Sequence, residues 1–452
     1  MMTFDRVLST LVYVCESDPG FAAIERACAV RDLQGRVRLI LAPSRGQSGT
    51  DVDNLAHSLE SALRRELSGY FATPILLWTS QGDQGRLARE ILDHSEPWND
   101  ASYEDPTTGQ RRSPVPRRWH RLERRISKQF WLERTTPQTP WPLVNGPPPI
   151  VTFYSFKGGV GRTTSLVSCA WQLARERGKR VALIDLDLEA PGLGALLGAE
   201  SERGVLDAIV DHMAMGEVSL DGLHAPAQAL GLEDGSLIDV FPAGRLDVSY
   251  LEKLSRLDFA STGPWDDGST NPVAIALRAL LEQIRRQIQP HMIFLDARAG
   301  LHDLAGLSLH GLAHVDVLVS RASEQAFQGL DLTVHALSLR KRVDELRCVV
   351  THNFAPRDLD SEEGRAEVEE FQRRSFEIFD RYIYASYEED APSPDDSTAA
   401  HWPWPLRANP SLERFTNILS AKDILFAEEY RSLRKRIEEL CTPEAAEDQD
   451  QS

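Results

Sequence analysis

A strand-like run, a glycine turn and a helix-like run follow one another without a break in VTFYSFKGGVGRTTSLVSCAWQLA, residues 151–174. No other stretch limits the fold so much. Glycines at 158, 159 and 161 let the backbone turn and approach a ligand where a Cβ would clash. The N–H groups of such a loop, with the positive end of the following helix, converge on one spot. That spot suits an anion, and phosphate above all. Thr163 sits where its hydroxyl can ligate Mg²⁺ beside the anion.

The chain around this loop alternates apolar runs with helical patterns. The strand-like runs are 150–156, 180–187, 237–244, 291–297, 315–321 and 346–353. Most are apolar on both faces, which predicts a buried, mostly parallel, doubly wound α/β sheet over 150–441. Asp185 and Asp187 fall at the carboxyl end of one strand, and Asp296 ends another. In a doubly wound sheet that edge carries the ligand groups.

Two further blocks precede this domain. Residues 1–98 predict a smaller α/β domain, with strands at 7–15, 36–42 and 73–80 and an amphipathic helix at 53–71 carrying Leu55, Leu59, Leu63 and Leu67 on one face. Residues 99–149 read as a connector rich in proline and turn formers. Within it, Trp119, Leu122, Ile126 and Phe130 are spaced as one face of a helix over 117–134. Between Arg111 and Arg134 lie nine Lys or Arg against two Glu, in a protein of net charge −18. The segment is a candidate for docking on an acidic protein surface, the chain's own included. Nucleic acid and a membrane surface are the alternatives, both disfavoured by the overall charge. The residues from 442 to 452 read as a disordered acidic tail.

The loop Lys157-Gly158-Gly159-Val160-Gly161-Arg162-Thr163 resembles the deviant Walker A motif, KGGxGK[ST], of the ParA/MinD branch of the SIMIBI P-loop ATPases. With Thr164, these residues would by that resemblance bind ATP. Lys157 would be the signature lysine that reaches the nucleotide of a second subunit and so makes a nucleotide-dependent homodimer. Asp187 matches the acid that orients the attacking water, Asp185 an acid on the Mg²⁺ side, and Asp296 the Walker B acid. Asn353 matches the asparagine that recognises adenine, with 402–415 as the loop packed near the base. Gly300 matches a hinge of the second switch, where Arg298 is unusual. The departure that matters is Arg162, where the family has a lysine on the β- and γ-phosphates. Arginine keeps the charge in a longer, planar side chain, so binding is expected to survive and hydrolysis is the point at issue. The motifs KGGVGRT, DLEAPGL and D-x-R-x-G are similar to those of a bacterial subgroup associated with signalling or conflict-type systems.

The resemblance therefore implies an ATP- and Mg²⁺-binding, slowly hydrolysing dimeric switch that controls a partner protein. Two alternatives stay open: a non-hydrolysing nucleotide-binding scaffold or sensor, and a DNA-binding partitioning ATPase that uses the basic segment. Five cysteines without a CxxC pair, an N-terminus with an early acid, and no apolar run of membrane-spanning length predict a cytoplasmic protein. Phe426, Tyr430, Leu433, Ile437 and Leu440 predict a helix packed on the sheet rather than on a membrane. His310 and His314, four apart, suggest a helix surface.

Overall fold

The computed structural model describes residues 2–105, 108–116, 118–125, 127–132, 139–232, 237–257, 271–339, 346–386, 391–413 and 417–443. The expected acidic tail lies almost wholly outside them. The chain forms two compact units, Met1–Ile126 and Ser127–Ser452. The division falls inside the expected connector.

The first unit contains α1 (Phe4–Glu16), β1 (Ile24–Arg31), β2 (Val37–Pro43), α2 (Gly49–Leu67), β3 (Leu76–Leu77), α3 (Gly82–His94), β4 (Glu96–Pro97), a short ladder of β5 (Tyr103–Glu104) with β6 (Arg111–Arg112), and β7 (Trp119–Glu123). Its sheet runs β3-β2-β1-β7-β4. The stretch at 7–15 is a helix, not the expected strand. Val7, Leu11, Val12 and Cys15 are fully buried at helical spacing, a pattern that a strand would split between two faces.

The basic segment is not a helix over 117–134 either. Trp119–Glu123 is strand β7, parallel to β1, and only α4 (Gln129–Leu132) is helical; Arg117, Ile126, Glu133 and Arg134 lie outside the described residues. Trp119 decides this. Its ring is buried against Phe21 and Trp98, and its Nε1 donates to Glu16 at 2.9 Å. Arg118 pairs with Glu16 at 3.5 Å and Glu123 with Arg31 at 3.8 Å, so part of the charge is spent inside this unit.

The second unit continues from α4 with β8 (Ile150–Tyr154), α5 (Arg162–Arg177), β9 (Val181–Asp185), α6 (Leu193–Leu197), α7 (Val205–Met215), β10 (Ala225–Pro226), β11 (Ile238–Phe241), α8 (Val248–Leu254), α9 (Pro272–Gln287), β12 (Met292–Asp296), α10 (Asp303–Leu307), β13 (Val315–Ser320), α11 (Glu324–Ser338), β14 (Cys348–Ala355), α12 (Glu362–Tyr382), β15 (Pro403–Arg407), α13 (Lys422–Leu425) and α14 (Glu428–Leu440). The strand order is β10-β11-β9-β12-β8-β13-β14-β15, parallel except for β10. All six expected strands are present. β15, read from sequence as loop, is a parallel edge strand.

Successive residues of β8 serve opposite faces. Val151 and Phe153 pack with α5 and α14, while Ile150 faces α9 and Tyr154 faces α11 and α12. Helix α5 is buried from Ser165 to Ala174 and ends at Gly178, whose φ of 60° closes the last turn. Its buried polar side chains find partners at the C-terminal end of the chain. Ser168 Oγ and Gln172 Nε2 donate to Leu425 O at 2.6 and 2.7 Å, and Arg434 Nε donates to Gln172 Oε1 at 3.1 Å. Tyr430, Leu433 and Ile437 of α14 are buried in the same core, as expected, which uses up that helix's apolar face. Both His310 and His314 are buried rather than on a surface. His314 Nδ1 accepts from Ile150 N at 2.9 Å, and its Nε2 lies 2.7 Å from Trp141 O. Among the described residues no helix is long and apolar enough to cross a membrane.

Candidate functional site

Strand β8 lies between β12 and β13 in the middle of the sheet, so the loop after it opens at the carboxyl edge flanked by both neighbours. Gly159 (φ 71°) and Gly161 (φ 85°) take the left-handed conformations that make the turn. A Cβ on Gly158 or Gly159 would meet nothing within 4 Å, so packing inside the protein does not explain these glycines. They leave open space over the loop crest. Lys157, Gly158 and Gly159 are exposed, while Val160 is buried and pins the loop to the core. Arg162, Thr163 and Thr164 form the first turn of α5, whose free N–H groups and dipole favour an anion.

The root of the loop is held by Phe156. A Cβ on Gly329 of α11 would lie 2.1 Å from its ring. Gly329→Ala is therefore expected to force Phe156 aside at a cost of about 1–3 kcal/mol. Urea unfolding of the two proteins measures this; equal midpoints would mean that the ring yields freely.

Three acids and two loop residues meet behind the glycines. Arg162 Nε donates to Asp296 Oδ1 at 2.6 Å, and Arg162 Nη2 donates to Asp187 Oδ2 at 3.1 Å. Thr163 Oγ1 donates to Asp296 Oδ2 at 2.7 Å. The guanidinium is thus forked between two carboxylates, a geometry that a lysine ammonium lacks. Burial works against the charge of Arg162, but Asp296 and then Asp187 hold its pKa above the ordinary value. Burial pushes Asp296 upward, while Arg162 and Thr163 pull it back.

Asp185 is brought close but is used differently from the expectation. Its Oδ1 accepts from Asp187 N at 3.1 Å, and its Oδ2 from Gly192 N and Leu193 N at 3.2 and 3.1 Å. It staples the 186–192 loop and the start of α6 rather than pointing into the site. Burial, and next the charge of Asp296, push it up to about 7. Asn353 is likewise turned inward. Its Nδ2 donates to Val160 O at 2.8 Å and contacts Ser165 Oγ at 3.4 Å, while its Oδ1 accepts from Thr351 Oγ1 at 2.7 Å. The amide that was expected to read a base braces the glycine loop instead. Gly161 fits beneath it, since a Cβ there would sit 2.9 Å from Nδ2.

Sequence reasoning missed Glu189. Its carboxylate pairs with Arg298 at 2.7 Å and with His302 at 3.1 Å, joining the loop after β9 to the loop after β12. The unusual Arg298 is thereby explained by an acid in the DLEAPGL motif; opposite charges in two facing loops were the available signal. Tyr250 Oη donates to Leu188 O at 2.6 Å, and Tyr154 Oη to Gly300 O at 3.3 Å. Gly300 (φ 75°) makes the turn between Arg298 and His302. The N–H of Gly300 donates to Ser155 O at 3.0 Å, tying this loop to the strand that carries the glycines.

The donors fit a hard divalent cation. Thr163, Asp187 and Asp296 offer oxygen only, and Asp187 Oδ1 is buried without a hydrogen-bond partner. Among the described residues no three His, Cys, Asp or Glu side chains form a metal cage. Mg²⁺ is usually held by one or two carboxylates together with phosphate oxygens, and this arrangement suits that mode.

A family profile described as "CobQ/CobB/MinD/ParA nucleotide binding domain" matches residues 151–420. The chain is 35% identical over 97 residues to the iron-sulfur cluster carrier protein of Escherichia coli, covering 21% of this chain and 22% of that protein. It is 43% identical over 76 residues to the chromosome-partitioning ATPase Soj of Thermus thermophilus, covering 17% and 27%. The chain thus spans only 22% and 27% of the length of these relatives. Among solved structures, the cell division ATPase MinD of Pyrococcus furiosus aligns at 17% identity with a TM-score of 0.41, covering 65% of this chain and 99% of that one. A plasmid partition protein of Borrelia burgdorferi aligns at 16% identity and TM-score 0.41, with the same coverage.

Proposed function

Because the chain belongs to the CobQ/CobB/MinD/ParA nucleotide-binding domain family over residues 151–420, we propose that it binds ATP with Mg²⁺ at the Gly158–Thr164 loop and cleaves it slowly. One observation carries the reading. Asp296 receives both the Thr163 hydroxyl and the Arg162 guanidinium at the N-terminus of α5, with Asp187 on the other side of the same guanidinium. In phosphoryl transfer the protein contributes mainly positioning and charge stabilisation. Loop N–H groups hold the phosphates, and Thr163 and Asp296 hold the cation. Asp187, with one oxygen unspent, orients water. Mg²⁺ bound there supplies screening of the phosphate charge. Arg162 has to leave at least one carboxylate to meet phosphate. Lys157 is exposed, which leaves it available to the nucleotide of a second copy, and the resulting dimer is the state that a protein partner reads.

Binding is tested by titrating a fluorescent ATP analogue with and without Mg²⁺, and cleavage by phosphate release. Wild type is expected to bind and to release phosphate, Asp187→Ala to bind without release, and Thr163→Ala to lose the Mg²⁺ dependence. Phosphate release equal in wild type and Asp187→Ala would end the hydrolytic reading. It would leave a nucleotide-binding scaffold, which the engagement of Arg162 by both carboxylates favours. The basic helix invoked for the DNA-partitioning reading is not formed, because residues 119–123 are a strand with Trp119 buried.

A further inference from the structure

Residues 128–132 lie directly on the loop that follows Asp296. Trp131 Nε1 donates to His302 O at 2.7 Å. The indole is buried, edge-on to His310 at 5.6 Å and against Tyr154 at 5.7 Å. It fills a place shaped for it: a Cβ on Gly306 of α10 would come within 2.9 Å of Trp131 Nε1 and 3.0 Å of Phe130 Cβ. Lys128, with a left-handed φ of 67°, reaches buried Asp303 at 3.6 Å. A non-glycine residue held in that conformation marks a contact that over-determines its backbone.

The far side of this contact is the nucleotide loop. His302 and Arg298 share Glu189, and Tyr154, which touches Trp131, donates to Gly300 O. Any rearrangement of residues 296–303 therefore moves the carbonyl and the ring to which Trp131 is fastened. On the near side the chain is short. The last backbone hydrogen bond of the first unit's sheet, Arg124 N to Arg31 O at 3.0 Å, is separated from Lys128 by residues 125–127 alone. Such a link spans roughly 14 Å when fully extended.

We propose that residues 128–132 are a strap docked in cis on α10, and that it couples the state of the 296–303 loop to the Met1–Ile126 unit. The inference rests on the nucleotide reading above and adds its output: the responding element is the chain's own N-terminal unit. Trp131 is here a positioning residue, acting through His302 O and Tyr154 rather than on the nucleotide.

The test uses the full chain. Affinity for a fluorescent ATP analogue is measured first. Hydrogen–deuterium exchange then follows peptides covering residues 24–31, 119–124, 128–132 and 158–164, with and without Mg·ATPγS. The analogue is expected to alter exchange in 128–132, and in β1 and β7, by about fivefold or more. Trp131→Phe keeps the ring but removes the N–H donor. It is expected to abolish the response in β1 and β7, to preserve that at 158–164, and to shift analogue affinity by the same factor, because coupling is reciprocal. Gly306→Ala, pushing on the indole from the other side, is expected to act alike and guards against one variant failing to fold. Binding with unchanged exchange at 128–132, or a full response of β1 and β7 in both variants, would overturn the coupling alone. Absence of binding would overturn the nucleotide reading and the coupling together.

Discussion

Replacing Arg162 with alanine is expected to destabilise the protein, in the absence of added nucleotide, by about 3–5 kcal/mol. The guanidinium is nearly buried, with 11% of its side chain exposed, and Asp296 beside it with 3%. Removing the cation takes away the charge that offsets the burial of Asp296 beside Asp187, and Asp296 is expected to take up a proton. The folded variant then binds more protons near neutrality than the unfolded chain does, so its stability falls as pH rises. The deficit should be larger at about pH 8 than at about pH 6, and urea titrations of both proteins at the two pH values measure it. Arg162→Lys keeps one charge but cannot fork, so an intermediate loss is expected. A deficit under about 1 kcal/mol for alanine, independent of pH, would mean that the two carboxylates are solvated without the arginine.

The second large effect is acid sensitivity at His352. Its ring stacks on Phe371 at 4.3 Å, its Nε2 lies 3.2 Å from Glu367, and its side chain is 1% exposed. Burial pushes its pKa down to about 4. Between about pH 6.5 and pH 4 the unfolded chain therefore binds a proton that the folded chain refuses, and stability falls with pH through that window. The shift corresponds to about 3 kcal/mol, fully present above the unfolded pKa and lost as pH falls to the folded one. Other groups also titrate there, so the measurement is the difference between wild type and His352→Gln across the window. The variant is expected to lose about 3 kcal/mol less on acidification; an unchanged difference would place the acid sensitivity elsewhere. His352 precedes Asn353 on β14, the strand whose end braces the glycine loop.

The main sheet was legible because its strands are buried on both faces. VALID and MIFLD contain no residue that needs water except the terminal acid, which marks the carboxyl edge of the sheet beside the glycine loop. The first unit was harder. In VLSTLVYVC, β-branched and aromatic residues suggest a strand, yet the residues that reach the core are four, five and eight positions beyond Val7. In WHRLE the alternation proper to a strand is hidden, because Arg121 and Glu123 share the face of Trp119, and only Trp119 is fully buried. At the candidate site, Thr163, Asp187, Asp296 and the glycines are picked out by residue type and position, and the structure gathers them at one edge of the sheet. Asp185 and Asn353 are picked out in the same way, but their polar atoms are engaged within the protein, since spacing says which side chains meet and not which atoms they spend on the backbone. Glu189 and Trp131 act through tertiary contacts with residues 298–306, for which local periodicity carries no signal.

The order β3-β2-β1-β7-β4 puts the last strand made by the ribosome inside the first unit's sheet, between strands completed earlier. Until Glu123 has left the exit tunnel, β1 has β2 on one side and an open edge on the other, and Phe21 lacks the indole that covers it. The nascent N-terminal segment therefore carries an unpaired, apolar strand edge through synthesis of nearly a hundred further residues, a hazard for sticking to other chains. Vectorial synthesis cannot finish this unit early. A natural truncation or proteolytic cut before β7 would release a sheet missing an interior member, and the cell's chaperones would meet it as an unfinished chain.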